Sequence, residues 1–272
     1  MSIAVCLKLV DTRPELDATG TVHDPDARFT GVSAADQAAL EWALRCADAW
    51  GDDVHVVTAG PPAADRILRD ALATGASTAT RIDLAMGAPS EVVAGAMAPL
   101  LETAAFVWCG DHSLDRGTGS VPAYLAARLG SAQALGLVDV ELDASGPGLA
   151  ALRRLDGGRR ERLRVTTPAV LSVEGSTARL RRAPLAATLR ARTAPIDTVP
   201  GPPLGEHTHR PTRPFRPRPR TLPAPAGTTS LDRIRELTDA AHGAVHGETV
   251  TLDPPEAAER ILDSLRAWGY LA

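Results

Sequence analysis

Aromatic residues are scarce, at 3% of 272 positions, and so few rings do not build a platform on which nucleic-acid bases stack. Lysine is scarcer still. Lys8, at the end of the first predicted strand, is the only one, and every other basic side chain of this type is arginine. No apolar stretch approaches the roughly 18–20 residues that cross a bilayer, and the start shows no basic-then-apolar leader. Cys6, Cys46 and Cys109 are odd in number and widely spaced. They argue against a disulfide framework or zinc knuckle and fit buried, reduced thiols in a cytoplasmic protein. The formal net charge of −4 gives no argument for a nucleic-acid partner. What remains is an apolar fraction of 44%, enough for one large α/β domain with or without appendages.

Two textures divide the chain. From residue 1 to about 132, short apolar runs alternate with helical periodicity. SIAVCLKLV (2–10), DVHVVTAG (53–60), TATRIDLA (78–85) and AAFVWCG (104–110) read as buried strands. Between them, DQAALEWALRCADAW (36–50), PAADRILRDALATG and PSEVVAGAMAPLLE (89–102) read as helices, the second opening on proline and ending at Gly75. Such alternation predicts a doubly wound, mainly parallel sheet whose ligands gather at the carboxyl ends of its strands. From about 133 the pattern becomes strand-like with two turns, SGPG and DGG, which predicts a hairpin or meander adding antiparallel strands. TARLRRAPLAATLRARTAP is basic and partly helical. Residues 199–227 are crowded with proline and arginine and predict an extended arm, with two closing helices beyond it. The expected organisation is therefore a domain at 1–195, an arm at 196–228 and terminal helices at 229–272.

One stretch raises a chemical question. CGDHSLDRGTGSVPAYLAARLG (109–130) leaves the fourth strand through a polar, glycine-spaced loop and re-enters helical periodicity. Amides at such a junction lack intrahelical partners and face the positive end of the helix dipole, so they can cradle phosphate. Small residues permit close approach. The plainer reading is that Asp115, Thr118 or Ser120 caps the helix and Gly117 makes the turn. The segment is neither a Walker loop nor G-x-G-x-x-G.

The same segment is similar to the G-x-Q-x-I-D-x-D-T-G-Q-V-G-P loop of electron transfer flavoprotein β subunits, through Gly110, Leu114, Asp115, Thr118, Gly119 and Val121. Four further stretches agree in order: CLKLVD (6–11), SAADQAALEWALR (33–45), VVTAGPPAADRILRDALATGA (56–76) and ALRRLDGGRRERLRVTTPAVLSV (151–173). The last carries Arg153, the Asp-Gly-Gly of 156–158, Glu161 and Pro-Ala-Val-Leu at 168–171. The resemblance implies the adenine nucleotide α-hydrolase-like form of the doubly wound α/β fold, with added antiparallel strands and an extended C-terminal arm. It also implies an electron-carrier subunit without catalytic residues. This subunit would pair with an α subunit, help enclose that subunit's FAD, and bind AMP or, in the bifurcating branch, a second FAD. Electrons would pass from a dehydrogenase to a downstream redox acceptor.

Carried over residue by residue, the resemblance draws the nucleotide pocket from four places. They are Cys6, Lys8 and Asp11 at the first strand; Ser33, Ala34, Ala35 and Asp36 before the first helix; Ala59 and Gly60 after the second strand; and the loop Gly110, Asp111, His112, Ser113, Leu114, Asp115, Arg116, Gly117, Thr118, Gly119 and Ser120. Three departures bear on its contents. Ser33-Ala34-Ala35 replaces Asn-Pro-Tyr, Gly117 replaces the second acidic residue of D-x-D-T-G, and Ser120 replaces the usual glutamine. AMP, a second flavin and an empty pocket all stay open. The resemblance also places Leu185 at the leucine of a dehydrogenase-docking loop, with Arg190 and Arg192 as its basic neighbours; an ordinary helix start with solvated arginines reads equally well.

Other residues invite stronger claims than they carry. His207, His209, His242 and His246 lack an evident third ligand, so no metal site is expected. Glu41 and Asp48 read as helix-surface charges. RPTRPFRPRPR (210–220) reads as an arm lying on the α subunit rather than on nucleic acid. The competing function is a stand-alone adenine-nucleotide-binding regulator of the same fold, against which a long Pro/Arg arm argues, since such an arm gains stability only by lying on something.

Overall fold

The computed structural model describes residues 2–15, 26–143, 146–203, 224–225, 227–238 and 249–271. His207, His209, His242, His246 and the 210–220 run lie outside the described residues. The chain divides into two compact units, Met1–Phe215 and Arg216–Ala272.

The first unit is built on strands β1 (Ser2–Leu7), β4 (Asp53–Gly60), β5 (Thr78–Asp83), β6 (Ala104–Gly110), β7 (Ala132–Leu142), β8 (Gly148–Arg154), β9 (Arg160–Thr166), β10 (Ala169–Val173) and β11 (Asp197–Pro200). They form one sheet in the order β11-β5-β4-β1-β6-β10-β7-β8-β9. Pairing is parallel from β11 to β7, and antiparallel only for β7 with β8 and β8 with β9. A separate antiparallel ribbon joins β2 (Val10–Asp11) to β3 (Thr30–Gly31). This is the expected α/β class, and the expected meander is β7-β8-β9. Its Asp-Gly-Gly turn holds Gly157 at φ 70° and Gly158 at φ 73°, a left-handed conformation that glycine reaches without a Cβ penalty.

Among the described residues, this unit holds five α-helices: α1 (Ala34–Trp50), α2 (Asp65–Thr74), α3 (Ser90–Leu101), α4 (Ser120–Leu129) and α5 (Leu185–Ala191). Side chains alternate across each strand, and the two faces are covered differently. Ile3, Val5, Phe106 and Trp108 pack with α1 and α2, while Ala4, Cys6, Val107 and Cys109 pack with α3 and α4. Trp42 of α1 stacks on Trp108 of β6 with centroids 6.2 Å apart. Strand order reverses at β1: the chain runs outward through β4 and β5, then crosses the other face to β6. A crevice at the carboxyl ends beside such a reversal is where doubly wound sheets bind ligands. The sheet also gains β11 on its β5 edge, beyond residue 195.

Glu41 is a correction. It is not a surface charge but one of the few buried acids, whereas Asp48 is exposed. Arg181 brings its backbone N–H (3.0 Å) and Nε (3.1 Å) to Glu41 Oε2, and Arg45 donates at 2.9 Å to Oε1. Burial raises the Glu41 carboxyl, but the two guanidiniums outweigh it and hold it below the usual range. The pair ties the segment before α5 onto α1. Arg181, 140 positions away, is not legible as the partner of Glu41 from sequence spacing.

The second unit contains α6 (Ser230–Leu237) and α7 (Pro254–Ala267), capped by Thr229 and Asp253 respectively. No described residue of either helix is buried. Leu231, Ile234 and Leu237 lie exposed at helical spacing on α6, as do Ile261 and Leu262 on α7 and Trp268 and Tyr270 just after it.

Candidate functional site

A cleft open to solvent, with a cavity volume of about 100 Å³, lies at the carboxyl ends of β1, β4, β5 and β6. Its floor is Cys6 of β1, Ala59 of β4 and Cys109 of β6. One wall is the loop that leaves β6, and the opposite wall is the loop between β5 and α3.

The β6–α4 loop has a definite shape. Asp111 N–H bonds Val173 O at 3.1 Å, Ser113 N–H bonds Thr118 O at 3.0 Å, and Gly117 N–H bonds Ser113 O at 2.8 Å. Gly117 sits at φ 61° with open space around it. Gly119 is required for a different reason: a Cβ there would stand 1.9 Å from Asp111 O. Helix α4 begins at this point with Gly119 as its N-cap and no side chain accepting from its first turn. Pro122 has no N–H to offer, and the amides ahead of it belong to the unpaired first turn of the helix. Thr118, Gly119, Val121 and Pro122 all border the cleft.

Consecutive residues pin this loop to both sides. Lys8 Nζ donates to Asp115 Oδ1 at 2.6 Å and Oδ2 at 2.8 Å, so the single lysine joins the end of β1 to the loop. Arg116 Nη1 donates to Ala88 O at 2.7 Å and more weakly to Gly87 O at 3.4 Å, joining it to the opposite wall. His112 Nδ1 lies 2.8 Å from Asp111 Oδ1.

Helix α1 meets the cleft in another manner. Ser33 Oγ accepts from Asp36 N–H at 3.0 Å, and the Asp36 carboxylate accepts the amide of Lys8 at 3.2 Å. Burial pushes the Asp36 carboxyl up to about 7, although the amides of Lys8 and Gly110, the Ser33 hydroxyl and the Lys8 charge all pull it down. Gly110 is confined here, since a Cβ would lie 2.5 Å from Asp36 Oδ1. Gly175 is confined against Ala34 and Ala35 in the same way.

Among the residues expected from sequence, the cleft brings together Cys6, Lys8, Asp36, Ala59, Gly110, His112, Ser113, Arg116, Thr118 and Gly119. The others stand behind or beside it. Ser33 and Ala35 are buried at the α1 start, with Ala34 against Gly175. Gly60 packs on Ala64. Asp111 backs Gly119, and Asp115 holds Lys8. Gly117 forms the turn, Ser120 begins α4, and Leu114 is half exposed. Asp11 lies in the β2–β3 ribbon, where it accepts from Arg13 N–H at 2.8 Å. The wall missed from sequence is Leu84 to Ala88 with Ser90, Val93 and Met97. The signal was present: TATRIDLA ends in MGAPS, a small-residue strand-to-helix junction at the same sheet edge.

Leu185 and Leu189 project one turn apart from α5, 76% and 54% exposed, and Arg190 and Arg192 beside them are exposed too. The helix is seated on α2 by Arg69, which donates to Ala191 O and Ala194 O at 3.1 Å each. Among the described residues, no cluster of His, Cys, Asp or Glu is placed to hold a metal ion, and no helix is long and apolar enough to cross a membrane.

Comparison with known proteins bears on this architecture. Residues 27–204 match the family model described as "Electron transfer flavoprotein domain". The chain is 30% identical over 211 residues to a protein named FixA from Azorhizobium caulinodans, covering 72% of this chain and 74% of that one. It is 28% identical over 191 residues to the electron transfer flavoprotein subunit beta of Methylophilus methylotrophus, covering 68% and 72% respectively. With the subunit beta of Chromohalobacter salexigens it shares 30% identity over 264 residues, 93% of this chain and 95% of the relative.

Proposed function

The chain belongs to the electron transfer flavoprotein domain family, and on that footing we propose that it is the β-type subunit of a two-chain flavin carrier, holding AMP in the cleft before α4. It performs no bond-making chemistry. Its work is to fix a nucleotide, cover part of the partner's flavin and offer a docking surface to a dehydrogenase. FAD, carried mainly by the α subunit, supplies the redox chemistry.

The observation that carries the reading is the α4 start: a helix opening without a side-chain cap, on a glycine that no larger residue can replace, facing a cleft. The anionic end of AMP fits that place by charge and by space. The other wall is apolar, with Leu84, Val93 and Met97 facing the cleft, and suits the flat faces of a base. Asp36 supplies an acceptor at the floor. The exposed apolar residues of α6 and α7 support an α-type partner, because faces of that kind on short helices are ordinarily covered. Leu185 and Leu189 with Arg190 and Arg192 support docking of a dehydrogenase donor at α5, an apolar anchor in a basic setting that suits a carrier with rapid release. A downstream acceptor completes the relay.

Co-expression with an α-type chain tests this reading. The expected product is a yellow one-to-one complex whose acid extract contains one FAD and one AMP per pair. An extract with two FAD per pair would replace AMP by a second flavin. A stable, colourless chain that binds AMP alone and no α-type partner would favour the stand-alone regulator instead.

A further inference from the structure

The floor of the cleft holds a pair of thiols that nucleotide binding does not require. In the parallel register of β1 and β6, Ala4 lies beside Val107 and Val5 beside Trp108, so the next residues, Cys6 and Cys109, are neighbours. They also share a face. Ala4, Cys6, Val107 and Cys109 all point to the α3/α4 side of the sheet, while Val5 and Trp108 point to the other. Adjacent strands run about 4.7–4.9 Å apart, inside the roughly 4.4–6.8 Å Cα separation that a disulfide spans. Both thiols are free, and both line the open cleft. Cys46, the third cysteine, lies on the opposite face among α1 side chains and does not line this cleft.

We propose that Cys6 and Cys109 form a vicinal dithiol on the cleft floor, which a hydroperoxide that enters the cleft oxidises to an intramolecular disulfide. The Cys109 proton is held tightly: the Cys6 thiol beside it, burial and the nearby Asp36 all push that thiol well above its ordinary value. One sulfur of the pair attacks and the other resolves, and the chemistry is the same in either order. With Cys6 attacking, the Cys6 thiolate takes the terminal oxygen of the hydroperoxide, the O–O bond breaks, and the displaced alkoxide picks up a proton to leave as alcohol. Cys6 is then a sulfenic acid. Cys109 displaces its hydroxyl as water, and the S–S bond forms. Two electrons pass from the sulfur pair to the peroxide. Since the thiolate reacts, the rate rises with pH. A monothiol reductant in excess restores the pair by thiol–disulfide exchange. Shielding of the floor by AMP rests on the function proposed above.

The test exposes the full-length chain, freed of nucleotide, to tert-butyl hydroperoxide, then counts free thiols and maps linked peptides by mass spectrometry. The expected result is loss of two thiols of the three, with Cys6 linked to Cys109 and Cys46 still free. In each single variant, Cys109→Ala or Cys6→Ala, the remaining thiol of the pair has no resolving partner and stops at a sulfenic acid that dimedone traps. Absence of the Cys6–Cys109 peptide in the wild-type chain, or reaction of Cys46 at a similar rate, overturns the proposal whatever the variants do. Saturating AMP is expected to slow linkage at least about tenfold. Linkage at an unchanged rate would leave the dithiol standing and remove the nucleotide from this cleft.

Discussion

Helices α1 and α4 both begin at the carboxyl edge of the sheet, α4 after β6 and α1 after the β2–β3 ribbon that follows β1, yet they begin in opposite ways. At α1 the chain satisfies itself. Ser33 caps the first turn, Asp36 turns back to accept the Lys8 amide, and Gly110 and Gly175 press the junction shut. At α4, among the described residues, no side chain fills the place: the N-cap is glycine, none accepts from the first turn, and a cleft lies in front. A helix start open to solvent costs little, but one set in a shaped crevice, with loops pinned on both sides by Lys8 and Arg116, is the geometry on which the proposed anion site rests. The closed junction supplies the rigid frame against which the open one is held.

Four substitutions test that contrast. The largest effect is expected for Gly119→Ala, whose added methyl meets Asp111 O at 1.9 Å. The loop must reopen, with loss of bound nucleotide and a destabilisation above about 3 kcal/mol, read by nucleotide content and urea unfolding. Next comes Asp36→Asn. The Asp36 carboxyl stands at about 7 when folded, against about 4 in an unfolded chain, so the folded state keeps a proton that the unfolded chain releases. Its contribution is complete below about pH 4 and is lost as pH rises toward 7. The stability of the wild type relative to Asp36→Asn should therefore fall on the order of 2–4 kcal/mol between about pH 4 and 8. A pH-independent difference would show that the buried carboxyl does not titrate as described. Ser33→Ala removes the α1 cap and is expected to cost about 1 kcal/mol in urea unfolding. Ser120→Ala, at the corresponding turn of α4, should change stability by less than about 0.5 kcal/mol. Equal costs for these two serines would erase the distinction between a capped helix and an uncapped one.

Much of this was legible in the sequence where local rules act alone. The runs at 53–60 and 104–110 are β4 and β6 with the same bounds, because apolar continuity in buried parallel strands is a strong signal. The Asp-Gly-Gly turn announced the β8–β9 hairpin, and the glycines of the β6–α4 loop announced a constrained junction. Residues that depend on distant partners were harder to read. Glu41 reads from sequence as a helix-surface charge, and only folding brings Arg181 across 140 positions to bury it. The β5–α3 wall was missed because Leu84 to Ala88 carries no charged or hydroxyl group to draw notice, although its position at the sheet edge follows from the strand order alone. β11 was read as part of an extended tail, since four residues ending in proline gain their strand character only from the β5 edge.

The account is tested most directly by the backbone amide resonances of the full-length, nucleotide-free chain as AMP is added. It predicts that Thr118, Gly119, Ser120 and Val121 move most, saturably and together, while the Gln37 amide, already bonded to Ser33 O, moves far less. Saturable binding that left those four resonances in place, or shifted the α1 start instead, would contradict it.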